Sequence, residues 1–122
     1  MIRKFGKIFG IVMILLGILG FLPKITERHL LLGIFEVNST LNFVHLITGL
    51  LAYLVSRIGI NIMRLFFQIF AVMYSILGFL GFAYTSKPIF RVIANNTADD
   101  WLHLLIAGFC IFIGFIFRKE KI

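Results

Sequence analysis

Four long apolar stretches restrict what this sequence can fold into. They cover residues 5–22, 41–56, 63–84 and 101–117, and a helix needs roughly 17 to 25 residues to cross a bilayer core of about 30 Å. The second stretch is short unless it continues to residue 60. Only 14% of the residues are charged and 61% are apolar, whereas about 25% are charged in soluble domains. The sequence therefore predicts a single all-α domain, a bundle of four transmembrane helices.

The charged residues are distributed unevenly about these predicted spans. If both termini are cytoplasmic, eight of the twelve Lys and Arg lie on the inner side, and four of the five acidic residues lie on the outer side. This distribution agrees with the positive-inside rule. We therefore predict a multi-pass protein of the bacterial inner membrane with both termini in the cytoplasm. The inner basic residues are Arg3, Lys4, Lys7, Arg57, Arg64, Arg118, Lys119 and Lys121.

The inner-face charge indicates which partners to expect. Anionic lipid headgroups are sufficient partners for a basic membrane surface, and we expect Arg57 and Arg64 to contact them, with Arg64 reaching the interface by snorkelling. Because the net charge of +7 arises on this face, it gives no separate support for nucleic-acid binding.

The two halves of the sequence resemble each other. LGILGFL at 16–22 and LGFLGFA at 77–83 share five of seven residues, and NSTLNFVHL at 38–46 resembles NTADDWLHL at 96–104. We therefore predict a duplicated helical hairpin. Both copies would enter the membrane in the same direction, related by a pseudo-two-fold axis along the membrane normal. Repeat 1 would cover about 1–60 and repeat 2 about 61–122.

Several of these residues also match a family pattern. Asn42, His45 and Leu46 form an N-x-x-H-L motif, and residues 99–104 form a D-x-x-L-H-L motif. With these motifs the chain resembles a bacterial family of small four-helix membrane proteins described as a domain of unknown function (number 4383). The resemblance covers nearly the whole chain and implies a four-helix integral membrane protein. It implies no reaction, ligand or catalytic residue.

Helix capping explains part of the polar pattern. We predict Ser39 and Thr97 as N-caps, with Asn42 and Asp100 three residues further on, as in a capping box. Capping matters near hydrocarbon because free N–H groups have few other partners there. An acidic side chain at a helix N-terminus also interacts favourably with the helix dipole.

Capping does not explain two histidines in the same segments. His45 lies three residues after Asn42, and His103 lies three residues after Asp100, so each imidazole can contact its polar neighbour on one helix face. The pseudo-two-fold would unite these four groups in the outer half of the bundle. The leading interpretation is an interhelical hydrogen-bond network without a cofactor. The alternatives are a metal or haem site with both histidines as ligands, and a proton-relaying element.

The sequence gives little indication of catalysis. It contains no H-E-x-x-H, CxxC or phosphate-binding glycine motif, and nearly all of its residues belong to predicted spans. We therefore expect no enzymatic activity. The leading hypothesis is a structural or accessory membrane protein that packs with itself as a homo-oligomer or with a larger membrane complex. The rival hypothesis is a ligand-binding or proton-conducting protein that uses His45 and His103.

Overall fold

The computed structural model describes residues 1–117, and four α-helices account for most of them. A five-residue π-helical turn, Phe112–Ile116, continues the fourth helix. The inner-face residues predicted at positions 118, 119 and 121 lie outside the described part of the chain. The helices are α1, Ile2–Leu19; α2, Ser39–Ser56; α3, Ile60–Tyr84; and α4, Thr97–Ile111.

Three helices are long and apolar enough to cross a membrane, namely Ser39–Ser56, Ile60–Tyr84 and Thr97–Ile116. These give the chain the character of a small membrane protein. The predicted first span, 5–22, does not join this set, because α1 carries Arg3, Lys4 and Lys7 and ends at Leu19. Its last carbonyl, that of Leu19, accepts a hydrogen bond from Thr26 Oγ1 at 2.9 Å.

The other three helices begin two to four residues before the predicted apolar runs. Their first turns contain polar residues, which hydropathy excludes from a span although the backbone is already helical. The α2 helix ends at Ser56 as predicted, and α3 ends at Tyr84 as predicted. We call the end that carries residues 20–38 and 85–96 the loop end. The opposite end, with residues 1–7, 57–59 and 112–117, is the terminal end.

Small residues allow the helices to approach closely in pairs. In the α1–α2 pair, a Cβ added to Gly10 would lie 2.8 Å from the Gly49 carbonyl oxygen and 2.9 Å from the Tyr53 nitrogen. In the α3–α4 pair, a Cβ on Gly78 would lie 2.6 Å from Leu104 Cδ2. Real Cβ atoms hardly ever come this close to another atom, so these positions accept no side chain unless their neighbours move.

A small antiparallel sheet covers the loop end and was not predicted. Its strands β1, Thr26–Glu27, β2, Leu30–Leu31, and β3, Phe35–Glu36, pair in chain order. Strands of two residues are too short to show an alternating pattern in the sequence. Leu31 packs with Leu41 in a buried cluster that joins the sheet to α2.

The main core lies between the four helices and is rich in aromatic side chains towards the terminal end. Phe9 of α1 is 5.6 Å from Phe67 of α3 and 5.7 Å from Phe109 of α4, measured between ring centroids. Large apolar side chains cover much of the outer surface, and Leu105, for example, is 72% exposed. Such a surface suits contact with lipid.

Candidate functional site

Two buried histidines meet where α2 faces α4. The Nε2 atoms of His45 and His103 are 3.1 Å apart, and their side chains are only 3% and 1% exposed. A hydrogen bond needs one donor and one acceptor, so one ring carries its hydrogen on Nε2 and the other does not. The pair therefore holds a single N–H between two nitrogens.

The surroundings of His103 indicate which ring donates. His103 Nδ1 is buried and has no hydrogen-bond partner in the described residues. A buried N–H without a partner is rarer than a buried acceptor without one. We therefore assign Nδ1 of His103 as unprotonated, which places the hydrogen on its Nε2. His103 then donates to His45 Nε2, and His45 carries its own hydrogen on Nδ1.

A second hydrogen bond links α2 to α3 beside this pair. Thr48 Oγ1 donates to the Val44 carbonyl at 2.7 Å and lies 2.9 Å from the Tyr74 hydroxyl. Because the hydrogen of Thr48 is already used, Tyr74 must be the donor to Thr48. The ring of Tyr74 also lies against His103, with centroids 5.7 Å apart. Three helices thus meet at one buried polar site.

Sequence reasoning did not include Thr48 or Tyr74 in this cluster. Thr48 could have been found, because it lies three residues after His45 and so shares its helix face. Tyr74 could not, since its position depends on how α3 packs against α2.

Asn42 and Asp100 do not join the histidines. Each side chain is buried, with 2% and 1% exposure, and packs against a glycine at or near the end of the preceding helix: Asn42 against Gly20, and Asp100 against Gly81. Their Oδ1 atoms have no hydrogen-bond partner in residues 1–117. The predicted four-group cluster is therefore a histidine pair flanked by two separate polar groups. Residues three apart are offset by about 60° around a helix, enough to face different neighbours.

The helix caps lie one residue earlier than predicted. Asn38 Oδ1 accepts from the Leu41 N–H at 2.9 Å, and Asn96 Oδ1 accepts from the Asp99 N–H at 2.8 Å. Asp99 Oδ2 in turn accepts from the Asn96 N–H, which completes a capping box. Ser39 and Thr97 are the first helical residues, so their prediction as caps was wrong. The two asparagines form the caps because their backbones are extended, as an N-cap requires.

The same two asparagines also bind across the molecule. Asn38 Nδ2 donates to the Val92 carbonyl at 2.9 Å, and Asn96 Nδ2 donates to the Ile34 carbonyl at 3.0 Å. Each asparagine thus caps its own helix and holds the loop that precedes the other cap. The two bonds are reciprocal: the donors Asn38 and Asn96 are 58 positions apart, and so are the acceptor residues Ile34 and Val92.

Arg64 and Arg57 have different surroundings at the terminal end. Arg64 Nη1 donates to the carbonyls of Ile113 and Phe117 at 3.1 and 2.7 Å, and Gln68 Nε2 donates to Gly114 at 3.0 Å. These bonds satisfy carbonyls at the π-helical end of α4. Arg64 therefore has a structural partner where snorkelling to headgroups was expected. Arg57 is exposed and lines a basic pocket.

The histidine pair fits a metal ion or haem poorly. Two imidazole nitrogens bound at about 2.0–2.1 Å to a tetrahedral metal would be about 3.4 Å apart, close to the observed spacing. However, no group of three or more His, Cys, Asp and Glu that could hold a metal occurs within residues 1–117. A haem iron held by two axial histidines separates their coordinating nitrogens by about twice the iron–nitrogen distance, roughly 4 Å. The porphyrin also needs room between the two imidazole rings. The direct 3.1 Å contact between the two Nε2 atoms provides neither this separation nor the room for a porphyrin.

Comparison with known proteins identifies a family. No curated protein and no solved structure matches the chain. One family pattern matches residues 3–116, which include the histidine pair and both asparagine caps. The chain therefore belongs to the family described as a domain of unknown function, DUF4383.

Proposed function

We propose that this protein is a structural or accessory component of the bacterial inner membrane, built from two tandem helical hairpins that a buried imidazole pair joins. The contact between His45 and His103 carries the proposal. The two residues occupy equivalent positions 58 residues apart, one in each hairpin. A polar contact in this position fixes which face of one hairpin meets the other.

Equivalent contacts elsewhere support the tandem repeat. Arg3 Nε donates to the Ser56 carbonyl at the end of α2, as Arg64 does to the end of α4. These arginines are 61 positions apart, like Gly20 and Gly81, which both face a buried polar side chain. On this proposal α1 is equivalent to α3 and forms the fourth span.

The distribution of charge supports the proposed orientation. Arg3, Lys4, Lys7 and Arg57 cluster at the terminal end, whereas Glu27 and Glu36 lie at the loop end. The positive-inside rule then directs the terminal end to the cytoplasm. Reporter fusions at either terminus test this orientation, and a periplasmic signal from both would overturn it.

An apolar groove supports a role in packing with other chains. It lies between α1 and α4, has a volume of about 670 Å³, and includes Gly108. A Cβ on Gly108 would meet nothing within 4 Å, so the helix surface is open there. Small residues allow close approach of membrane helices, and a homo-oligomer could form along this groove.

A cysteine crosslink tests this packing role. In a Cys110→Ala background, we expect Gly108→Cys to give disulfide-linked dimers in oxidised membranes. Leu54→Cys, on the exposed surface of α2, is the control and should stay monomeric. If Gly108→Cys gives no more dimer than this control, self-association along the groove is refuted.

A second candidate function follows from the shared proton. A pair that holds one N–H between two nitrogens can take up a further proton, because His103 Nδ1 is an acceptor without a hydrogen-bond partner in residues 1–117. The alternative is therefore a proton-relaying protein. It predicts a pH-dependent proton flux in liposomes that His103→Ala abolishes and His29→Ala, at an exposed loop position, does not. Absence of flux at every pH would eliminate it and leave the structural role.

A further inference from the structure

A basic pocket lies at the terminal end, between the first two turns of α1 and the end of α2. Its volume is about 460 Å³, and small-ligand sites typically measure about 300–1,000 Å³. Buried Ser56 forms part of the wall. Four cationic residues line the same pocket: Arg3, Lys4, Lys7 and Arg57.

No acidic side chain in residues 1–117 balances these charges nearby. The acidic residues of this part of the chain are Glu27, Glu36, Asp99 and Asp100, at the loop end or in the first turn of α4. A helix the length of α2, 18 residues, separates the two ends by about 27 Å. This exceeds the Debye length of about 8 Å at physiological ionic strength. Within residues 1–117, the four cations of the pocket therefore have no acidic side chain within screening distance, and a bound anion would relieve their mutual repulsion.

The pocket combines two kinds of cation that suit a phosphoryl group. Arg3 is held in place, because its Nε donates to the Ser56 carbonyl at 2.6 Å. That bond uses only Nε, so the two terminal nitrogens of the guanidinium remain for a ligand. A guanidinium matches phosphate oxygens in a planar fork, and lysines add compact positive charges.

We propose that this pocket binds a phosphoryl group, supplied by the headgroup of an anionic phospholipid. The lipid source is favoured because two exposed apolar residues lie on α1 within four positions after Lys7, namely Ile8, 59% exposed, and Ile11, 46% exposed. An acyl chain could lie along them while the headgroup occupies the pocket. This site is separate from the histidine pair and does not depend on the structural role of that pair.

A binding experiment with soluble lipid tests the site. The full chain in non-ionic detergent is titrated with short-chain phosphatidylglycerol and followed by native mass spectrometry. Short-chain phosphatidylcholine and inorganic phosphate are titrated in parallel. We expect saturable binding of one phosphatidylglycerol per chain and much weaker binding of phosphatidylcholine.

A matched pair of triple variants assigns the binding to the pocket. Lys4→Gln/Lys7→Gln/Arg57→Gln removes three pocket charges and keeps Arg3, which has a backbone partner. Basic residues near an anionic lipid surface contribute about five-fold each, so we expect binding to weaken on the order of 100-fold. The control removes three charges from the loop end and should bind like the unmodified chain: Lys24→Gln/Lys87→Gln/Arg91→Gln.

Each outcome decides between the sources or against the site. Equal binding of phosphatidylglycerol by the two triple variants, or equal affinity for phosphatidylcholine, would overturn the proposal. Inorganic phosphate that binds as tightly as the lipid would overturn the lipid source and leave a site for a soluble phosphoryl group. If the pocket variant does not fold, Arg57→Gln alone should still weaken binding about five-fold, and unchanged affinity in that variant would refute the site.

Discussion

Replacing the histidines one at a time and together tests whether they form a hydrogen bond that stabilises the fold. His103→Leu removes the donor and leaves His45 Nε2 buried, since His45 is only 3% exposed. A polar group left buried without its partner costs about 1–3 kcal/mol. We expect a loss of this size in the free energy of unfolding for His103→Leu, and a similar loss for His45→Leu.

The double variant distinguishes a hydrogen bond from two independent residues. Replacing both partners by apolar groups of similar shape can be nearly neutral, because no polar group is left unpaired. The loss for His45→Leu/His103→Leu should therefore be smaller than the sum of the single losses. Interhelical hydrogen bonds in membrane proteins are worth about 0.6 to 1.7 kcal/mol, and the coupling energy should lie near the upper end.

Reversible unfolding in mixed micelles, monitored by circular dichroism, measures these free energies. His29→Leu is the control, because His29 is exposed in the loop between β1 and β2 and surface changes are usually within about 0.5 kcal/mol. Additive losses in the double variant would contradict a direct bond. Unchanged stability in all three variants would remove the structural role of the pair.

Three other substitutions follow from the geometry. Asn96→Ala should cost about 1–2 kcal/mol and Ser39→Ala much less, since Asn96 caps α4 and also binds Ile34; thermal unfolding compares them. Gly81→Ala should cost about 1–3 kcal/mol because its Cβ would overlap Asp100, whereas Gly108→Ala should be tolerated; the same assay would contradict this if the two behaved alike. Tyr74→Phe should cost about 0.5–1.5 kcal/mol by removing the donor to Thr48, and a chain as stable as the unmodified one would disprove that bond.

The helices could be predicted because a local pattern in the sequence, the length of each apolar run, determines them. Apolar length indicated α2, α3 and α4, and the ends of α2 and α3 agreed with the apolar runs. Helix starts were less accurate, because an N-cap depends on backbone conformation as much as on residue type. Both Asn38 and Ser39 are good cap residues, and only the extended backbone of Asn38 shows which one caps α2.

The candidate site was predictable to the extent that it follows the sequence similarity between the two halves of the chain. The matching positions of His45 and His103 predicted that the two residues are neighbours, but the sequence does not determine which face of α2 meets α4. The packing of the helices places Asn42 and Asp100 against glycines, away from the histidine pair, and places Tyr74 beside Thr48. Arg64 shows the same limit, since its carbonyl partners are 49 and 53 positions away.

Within residues 3–117, the side-chain hydrogen bonds between the α1–α2 pair and the α3–α4 pair are concentrated towards one end. Reciprocal asparagine bonds join them at the loop end, and the histidine pair and the Thr48–Tyr74 bond join them further along. At the terminal end, Arg3 binds within the α1–α2 pair and Arg64 binds the residues that follow α4, whereas phenylalanine rings join α1 to α3.

The hydrophobic effect does not drive helices together in lipid, because acyl chains are equally apolar, so hydrogen bonds between helices add to the attraction that close packing alone provides. Separating the α1–α2 pair from the α3–α4 pair should therefore cost least at the terminal end, where the basic pocket lies. Pairs of spin labels should give a broader distance distribution between positions 4 and 65 than between positions 39 and 92, and equal widths would contradict this asymmetry.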